Sequence, residues 1–192
     1  MKRYPLVTLA LCALPCLLML LPPAVHERLY FDHRLLSRGE LLGLVTGHWV
    51  HADTGHLAWN VAALAILAAV IERRSRRLLL WSIAIGTACV DLLLLSPAGD
   101  IQRYCGLSGV LNTLTGVALW LCWRETRSPA VPLLAIACLA KIALESATGH
   151  SLFTDISWPH FPAAHLAGMA GAALLLGALR WREGDVPATT GK

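Results

Sequence analysis

Six apolar runs, each long enough or nearly so to cross a lipid bilayer as a helix, constrain this chain more than any other feature of it. They fall at about residues 4–22, 54–71, 78–96, 106–123, 130–147 and 162–181. Of the 192 residues, 56% are hydrophobic and 15% charged, against roughly 25% charged in a soluble domain. With a mean hydropathy of +0.60, the apolar side chains are too many for one core of this size, so lipid must take the remainder. Six spans of roughly 20 residues leave about 70 residues for loops and tails. The expected fold is an all-α membrane protein, a six-transmembrane-helix bundle forming one domain over residues 1–192. Disorder, collagen-like repeats and a disulfide scaffold are excluded, since Cys12, Cys16, Cys89 and Cys138 lie inside apolar runs.

The basic residues act as topology marks. A net charge of +4 does not imply a nucleic-acid partner, because these residues form short clusters between apolar runs rather than a basic face. Six crossings put Lys2-Arg3, Arg73 to Arg77, Arg124, Arg127, Arg180, Arg182 and Lys192 on one side, eleven basic residues against four (Arg28, Arg34, Arg38, Arg103) opposite. The positive-inside rule then makes both termini cytoplasmic, with 23–53, 97–105 and 148–161 facing the other way. A cleaved signal peptide over Met1 to Ala24 is the rival reading, and no small-x-small cleavage site supports it. The long segment 23–53 mixes Leu35, Leu36, Leu41, Leu42, Leu44 and Trp49 with Arg34, Arg38 and Glu40, which predicts a short helix at the membrane interface.

Three segments carry chemistry. His48, His51 and His56 crowd the start of the second run, and Asn60 shares a helix face with His56. Taken alone, that cluster fits a metal or haem site as well as any other. Gly106-Leu107-Ser108-Gly109 places a serine where the fourth run begins, either for close helix packing or as a nucleophile at a helix N-terminus, where backbone N–H groups favour an oxyanion. His165 lies just inside the last run, with Gly168 one turn on. If the fourth and sixth helices pack through their glycines, Ser108 and His165 meet at similar depth. The imidazole would then take the hydroxyl proton as serine attacks a carbonyl, and return it to the leaving amine. His56 and Asn60 would donate to the tetrahedral oxyanion, at roughly 3–4 kcal/mol per good donor. No aspartate has an obvious place as a third member, which leaves a dyad.

Together these segments resemble the rhomboid family of intramembrane serine proteases. His51-x4-His56-x3-Asn60 is similar to its second-span pattern, Gly106-Leu107-Ser108-Gly109 to its GxSG box, and Ala164-His165-x2-Gly168 to its last-span motif. The resemblance implies Ser108 as nucleophile, His165 as base, and His56, Asn60 and the Ser108 N–H as oxyanion donors, with no cofactor and no metal. The family's additional first-loop histidine falls at Gly47, next to His48, and its further last-span glycine falls at Ala172, next to Gly171. The segments 38–40, 46–51 and 104–111 look like the rhombosortase branch. That branch implies substrates bearing a C-terminal Gly-Gly-containing signal, a transmembrane helix and a basic tail, in the inner membrane of a Gram-negative bacterium, with the active site toward the periplasm.

Rival readings remain open here. Lys141 and Glu145, at i and i+4, read as mutual neutralisation in preference to a serine–lysine dyad, and Asp91 has no local partner. A client-binding pseudoprotease and a histidine-cluster metal or haem protein are the alternative functions. Cys105, three residues before Ser108, reads as a packing residue. Segment 148–161, with His150, Asp155, Trp158 and His160, is a candidate lid. Partners are membrane lipids and membrane-anchored protein substrates, and the oligomeric state is left open.

Overall fold

A computed structural model of the chain describes residues 4–149, 152 and 158–184, the side chains of 181–184 excepted. Eleven elements follow in order among them: α1 (Leu6–Leu18), α2 (Pro23–Arg28), β1 (Phe31–Asp32), α3 (His33–Leu36), α4 (Leu42–Thr46), α5 (Thr54–Arg74), α6 (Arg76–Leu94), β2 (Arg103–Tyr104), α7 (Ser108–Thr126), α8 (Ala130–Thr148) and α9 (Pro162–Gly184). Lys2-Arg3, Lys192, His150 and Asp155, used above in the charge count and the lid, lie outside the described residues.

The helix ends follow local chemistry. Asp53 opens α5 by accepting the His56 N–H at 2.7 Å, and Ser75 opens α6 by accepting the Leu78 N–H at 3.1 Å. Gly149, at φ +71°, closes α8 in the left-handed conformation. The first apolar run is interrupted: α1 stops at Leu18 and Pro23 begins a new helix, where a missing N–H costs nothing. Likewise α7 starts at Ser108 and not at 106, because Gly106 sits at φ +106°, outside any right-handed helix.

Among the described residues, four helices are long and apolar enough to cross a membrane: α5, α6, α8 and α9 over Pro162–Arg180. At 13 residues, α1 spans only about 20 Å. Helix α7 owes its more polar composition to its position. It is the central helix, buried along its length from Gly109 to Leu121, so its neighbours and not lipid cover Ser108, Asn112 and Thr113. Peripheral α8 is the opposite case. Only Ile142 and Glu145 of it are buried, while Leu133, Leu134, Ile136, Leu139 and Leu144 face outward, as lipid contact requires.

Small residues set the spacing of the bundle. A Cβ on Gly168 would lie 1.9 Å from the Gly109 carbonyl oxygen, and one on Gly116 would lie 2.6 Å from the Ala172 Cβ. Gly171 turns toward Thr113 and Gly86, where a Cβ would meet the Thr113 hydroxyl at 3.1 Å. Both Gly171 and Ala172 therefore serve close packing, on different neighbours. The expected pairing of the fourth and sixth helices through glycines is present, and Thr113 donates to the Gly168 carbonyl at 2.6 Å across that seam.

Segment 23–53 departs from expectation. In place of one interfacial helix there are three short ones, α2, α3 and α4, the last two packed on β1. Gly39, at φ +85°, reverses the chain after α3, and the Thr46 hydroxyl donates to the Leu29 carbonyl at 2.7 Å. Phe31 pairs with Tyr104 and Asp32 with Arg103 in a two-residue antiparallel bridge, which ties this segment to the residues just ahead of Ser108. At the opposite end of the bundle, the buried Glu72 carboxylate accepts the Val7 N–H (3.1 Å) and the Thr8 N–H (2.8 Å) of the first turn of α1. Arg74 and Glu125 form an ion pair there, so the basic clusters after α5 and α7 share one end.

Candidate active site

The site lies at the other end, where α5, α7 and α9 begin. Ser108 is the first residue of α7, preceded by Gly106, whose N–H donates to the Gly47 carbonyl at 2.9 Å. Tyr104, buried beneath this turn, donates its hydroxyl to the Gly106 carbonyl at 3.1 Å, and the Gly109 N–H and Ser108 hydroxyl also reach the phenol oxygen. Burial pushes the Tyr104 phenol above its ordinary range, so it remains a hydrogen-bond donor.

Glycine at 106 is required twice over. Its positive φ disfavours any side chain, and a Cβ would sit 2.5 Å from the His56 ring and 3.6 Å from the Asn60 amide nitrogen. The same fact locates His56 and Asn60: both are buried on one face of α5, directly against the turn that carries Ser108. His165, in the first turn of α9, joins them. Ser108, His56, His165, Tyr104 and Cys105 line one cavity of about 30 Å³, with Trp158, His160 and Phe161 also in its wall. That is room for a water molecule or two. Of the lid candidates, Trp158 and His160 are therefore wall residues of this cavity.

His48 and His51 have structural surroundings. The His48 Nε2 lies 2.9 Å from the Asp91 carboxylate, so Asp91, without a local partner in sequence, finds one across the bundle. Gly47 has no room for a histidine, since its Cβ would meet the Gly43 carbonyl at 2.6 Å and the Phe31 nitrogen at 2.9 Å. His51 stacks edge-on against His56, ring centres 4.9 Å apart. Burial, with His56 beside it, holds His51 near a pKa of about 3, which keeps it neutral. Burial likewise pushes the Cys105 thiol up to about 12, so it has no thiolate to offer as a nucleophile.

One neighbour of His165 was not read as such from the sequence. Glu145 on α8 is wholly buried; its Oε1 accepts from Lys141 at 2.6 Å and from the Leu152 N–H at 3.1 Å, and its Oε2 lies 3.4 Å from His165 Nδ1. A glutamate in an apolar run is the sequence signal for such a contact, and Lys141 four residues before it masks that signal.

A hydroxyl at a helix N-terminus and the imidazoles of His56 and His165 on one water-sized cavity, with the Asn60 amide against the same turn, make a constellation suited to acyl transfer inside a helical membrane protein. The chain belongs to the rhomboid family: the Rhomboid domain model matches residues 38–182, which include all four of these side chains. Members of that family are in general intramembrane serine proteases. No individual curated protein matches the chain at a significant level.

Proposed function

We propose that this protein is an intramembrane serine endopeptidase working through a dyad of Ser108 and His165. The observation that carries the reading is the shared cavity, into which Ser108, His165 and His56 all face at the head of α7. His165 takes the Ser108 proton as the serine oxygen attacks the scissile carbonyl. His56, Asn60 and the Ser108 N–H hold the resulting oxyanion, and the imidazolium returns its proton to the leaving amine. Water then enters from the nearby membrane surface to release the acyl-enzyme.

In this reading residues 1–192 form one domain of six spans with both termini cytoplasmic. The position of the site at the end opposite the Arg74 and Glu125 pair supports a periplasmic active site in a bacterial inner membrane. The rhombosortase-like segments around Arg38, Gly47 and Tyr104 favour exported substrates with a C-terminal Gly-Gly-containing signal and transmembrane helix. Purified protein in liposomes, given such a substrate, tests both parts. Wild type cleaves, while Ser108→Ala and His165→Ala do not, and product masses locate the bond. Substrate binding without cleavage by all three would favour a client-binding pseudoprotease instead.

A further inference from the structure

Glu145 is the most completely buried ionisable side chain among the described residues. It is fully inaccessible on a helix that otherwise faces outward, and an ionisable group so placed needs partners or a function. Lys141 and the Leu152 N–H together satisfy one carboxylate oxygen. The other, Oε2, makes no hydrogen bond among the described residues and lies across the helix interface from His165 Nδ1, which is also buried and makes none among them. These two atoms are 3.4 Å apart, so a small rotation of either side chain closes the bond. Had Glu145 served Lys141 alone, the pair would have been free to turn toward the lipid headgroups, as long charged side chains near helix ends do.

We infer that Glu145 is a positioning residue for His165, making the dyad a serine–histidine–glutamate relay whose last member is itself held by Lys141. The inference rests on Ser108 and His165 acting as proposed above. With Nδ1–H donating to Oε2, the imidazole is locked in the tautomer that leaves Nε2 free to receive the Ser108 proton. When Oγ bonds to the substrate carbonyl carbon, that proton moves to Nε2 and the ring becomes cationic beside a carboxylate. When the peptide C–N bond breaks, the proton leaves on the amine nitrogen. Glu145 gains no proton at any point; it orients the ring and offsets the charge of the imidazolium. The ion pair with Lys141 keeps Oε1 occupied, so Oε2 alone points to the site.

His160 Nε2 lies 3.8 Å from the same Oε2, and the three ligand atoms fall within 4.8 Å of one another. A divalent cation is thus a competing occupant. It would have to sit beside the Lys141 ammonium already bound to that carboxylate, which disfavours it.

The test uses full-length protein in liposomes with the substrate described above. Removing Glu145 alone strands Lys141, so the informative variant replaces both by apolar residues, Lys141→Met with Glu145→Leu, a swap that buried ion pairs commonly tolerate. It should melt at or above the wild-type temperature, yet lose about 10²- to 10³-fold in kcat with KM within about threefold. Glu145→Asp, which keeps the carboxylate, should recover part of that kcat and Glu145→Gln none of it. A double variant within about threefold of wild-type kcat, while Ser108→Ala and His165→Ala are inactive, would reduce Glu145 to a counter-ion for Lys141 and overturn the inference. Stoichiometric zinc that inhibits wild type and is lost on Glu145→Gln would overturn it in favour of a metal site. If Ser108→Ala still cleaves, the dyad itself fails, and that arm reports it separately.

Discussion

The seam between α7 and α9 holds the tightest glycine approach among the described residues, and one methyl group tests it. In Gly168→Ala the new Cβ would fall 1.9 Å from the Gly109 carbonyl oxygen and 2.9 Å from its carbon. Ordinary contact begins near 3.4 Å, so the two helices must part by about 1.5 Å at this level. Backbone on both sides prevents a side-chain escape. Overpacking of this kind costs roughly 1–3 kcal/mol, and it also stretches the 2.6 Å bond from Thr113 to the Gly168 carbonyl. His165 lies three residues before Gly168, on the same face, and therefore moves with it away from Ser108. A misplacement of about 1 Å at a reacting pair costs on the order of 10²-fold in rate. Gly168→Ala should accordingly melt lower in detergent and cleave at least about 100-fold more slowly in liposomes. Gly177→Ala is the control: it lies on the same helix with nothing within 4 Å of its Cβ, and helix propensity makes it neutral or slightly stabilising. Gly168→Ala activity within about threefold of wild type would refute the argument, because the site would then not depend on this approach.

Three further outcomes follow from buried groups. His48→Ala leaves Asp91 without the imidazole now 2.9 Å away and should destabilise the protein by roughly 2–3 kcal/mol, with Asp91→Asn costing less because it keeps a hydrogen-bonding group; equal melting of His48→Ala and wild type would remove that pair from the stability account. His51, with its pKa lowered to about 3 by burial, stays neutral in the fold while the unfolded chain protonates it near 6.5, so its contribution is complete above pH 6.5 and is lost as pH falls toward 3. That loss runs at about 1.4 kcal/mol per pH unit, and His51→Gln should flatten the fall in melting temperature between pH 6.5 and 5 relative to wild type. Cys105→Ser should keep most of the proteolytic activity, measured with the same liposome substrate, since the thiol at about 12 is not a nucleophile.

Much of this was legible in the sequence because membrane helices report themselves through run length. The runs at 54–71, 78–96, 130–147 and 162–181 all became helices extended or shifted by a few residues. Ser108, His56, Asn60 and His165 came to one place because each sits near the start of a helix entering from the same side. What sequence could not convey was rotation about helix axes. Whether Glu145 points along α8 toward Lys141, or across to His165, depends on how α8 is turned, and an i,i+4 spacing is satisfied by either. The pairing of His48 with Asp91 spans 43 residues and has no local mark. The folding of 23–53 into three pieces depends on Gly43 and Gly47 packing against Tyr30 and Phe31, a contact invisible until the loop is closed.

The cap that Glu72 places on α1 bears on the order in which the chain can be assembled. The N–H groups of Val7 and Thr8 find their acceptor 64 or more residues later, at the far end of α5. A ribosome delivers α1 well before α5, yet the Val7 and Thr8 N–H groups lack this acceptor until α5 is complete and its end has arrived on the same side. The Arg76 guanidinium, 3.0 Å from the same carboxylate, fixes Glu72 only once the next helix has begun. A helix made well before α5 is thus finished only after it, and a lesion at Glu72 should be felt during biogenesis, as failed retention of α1.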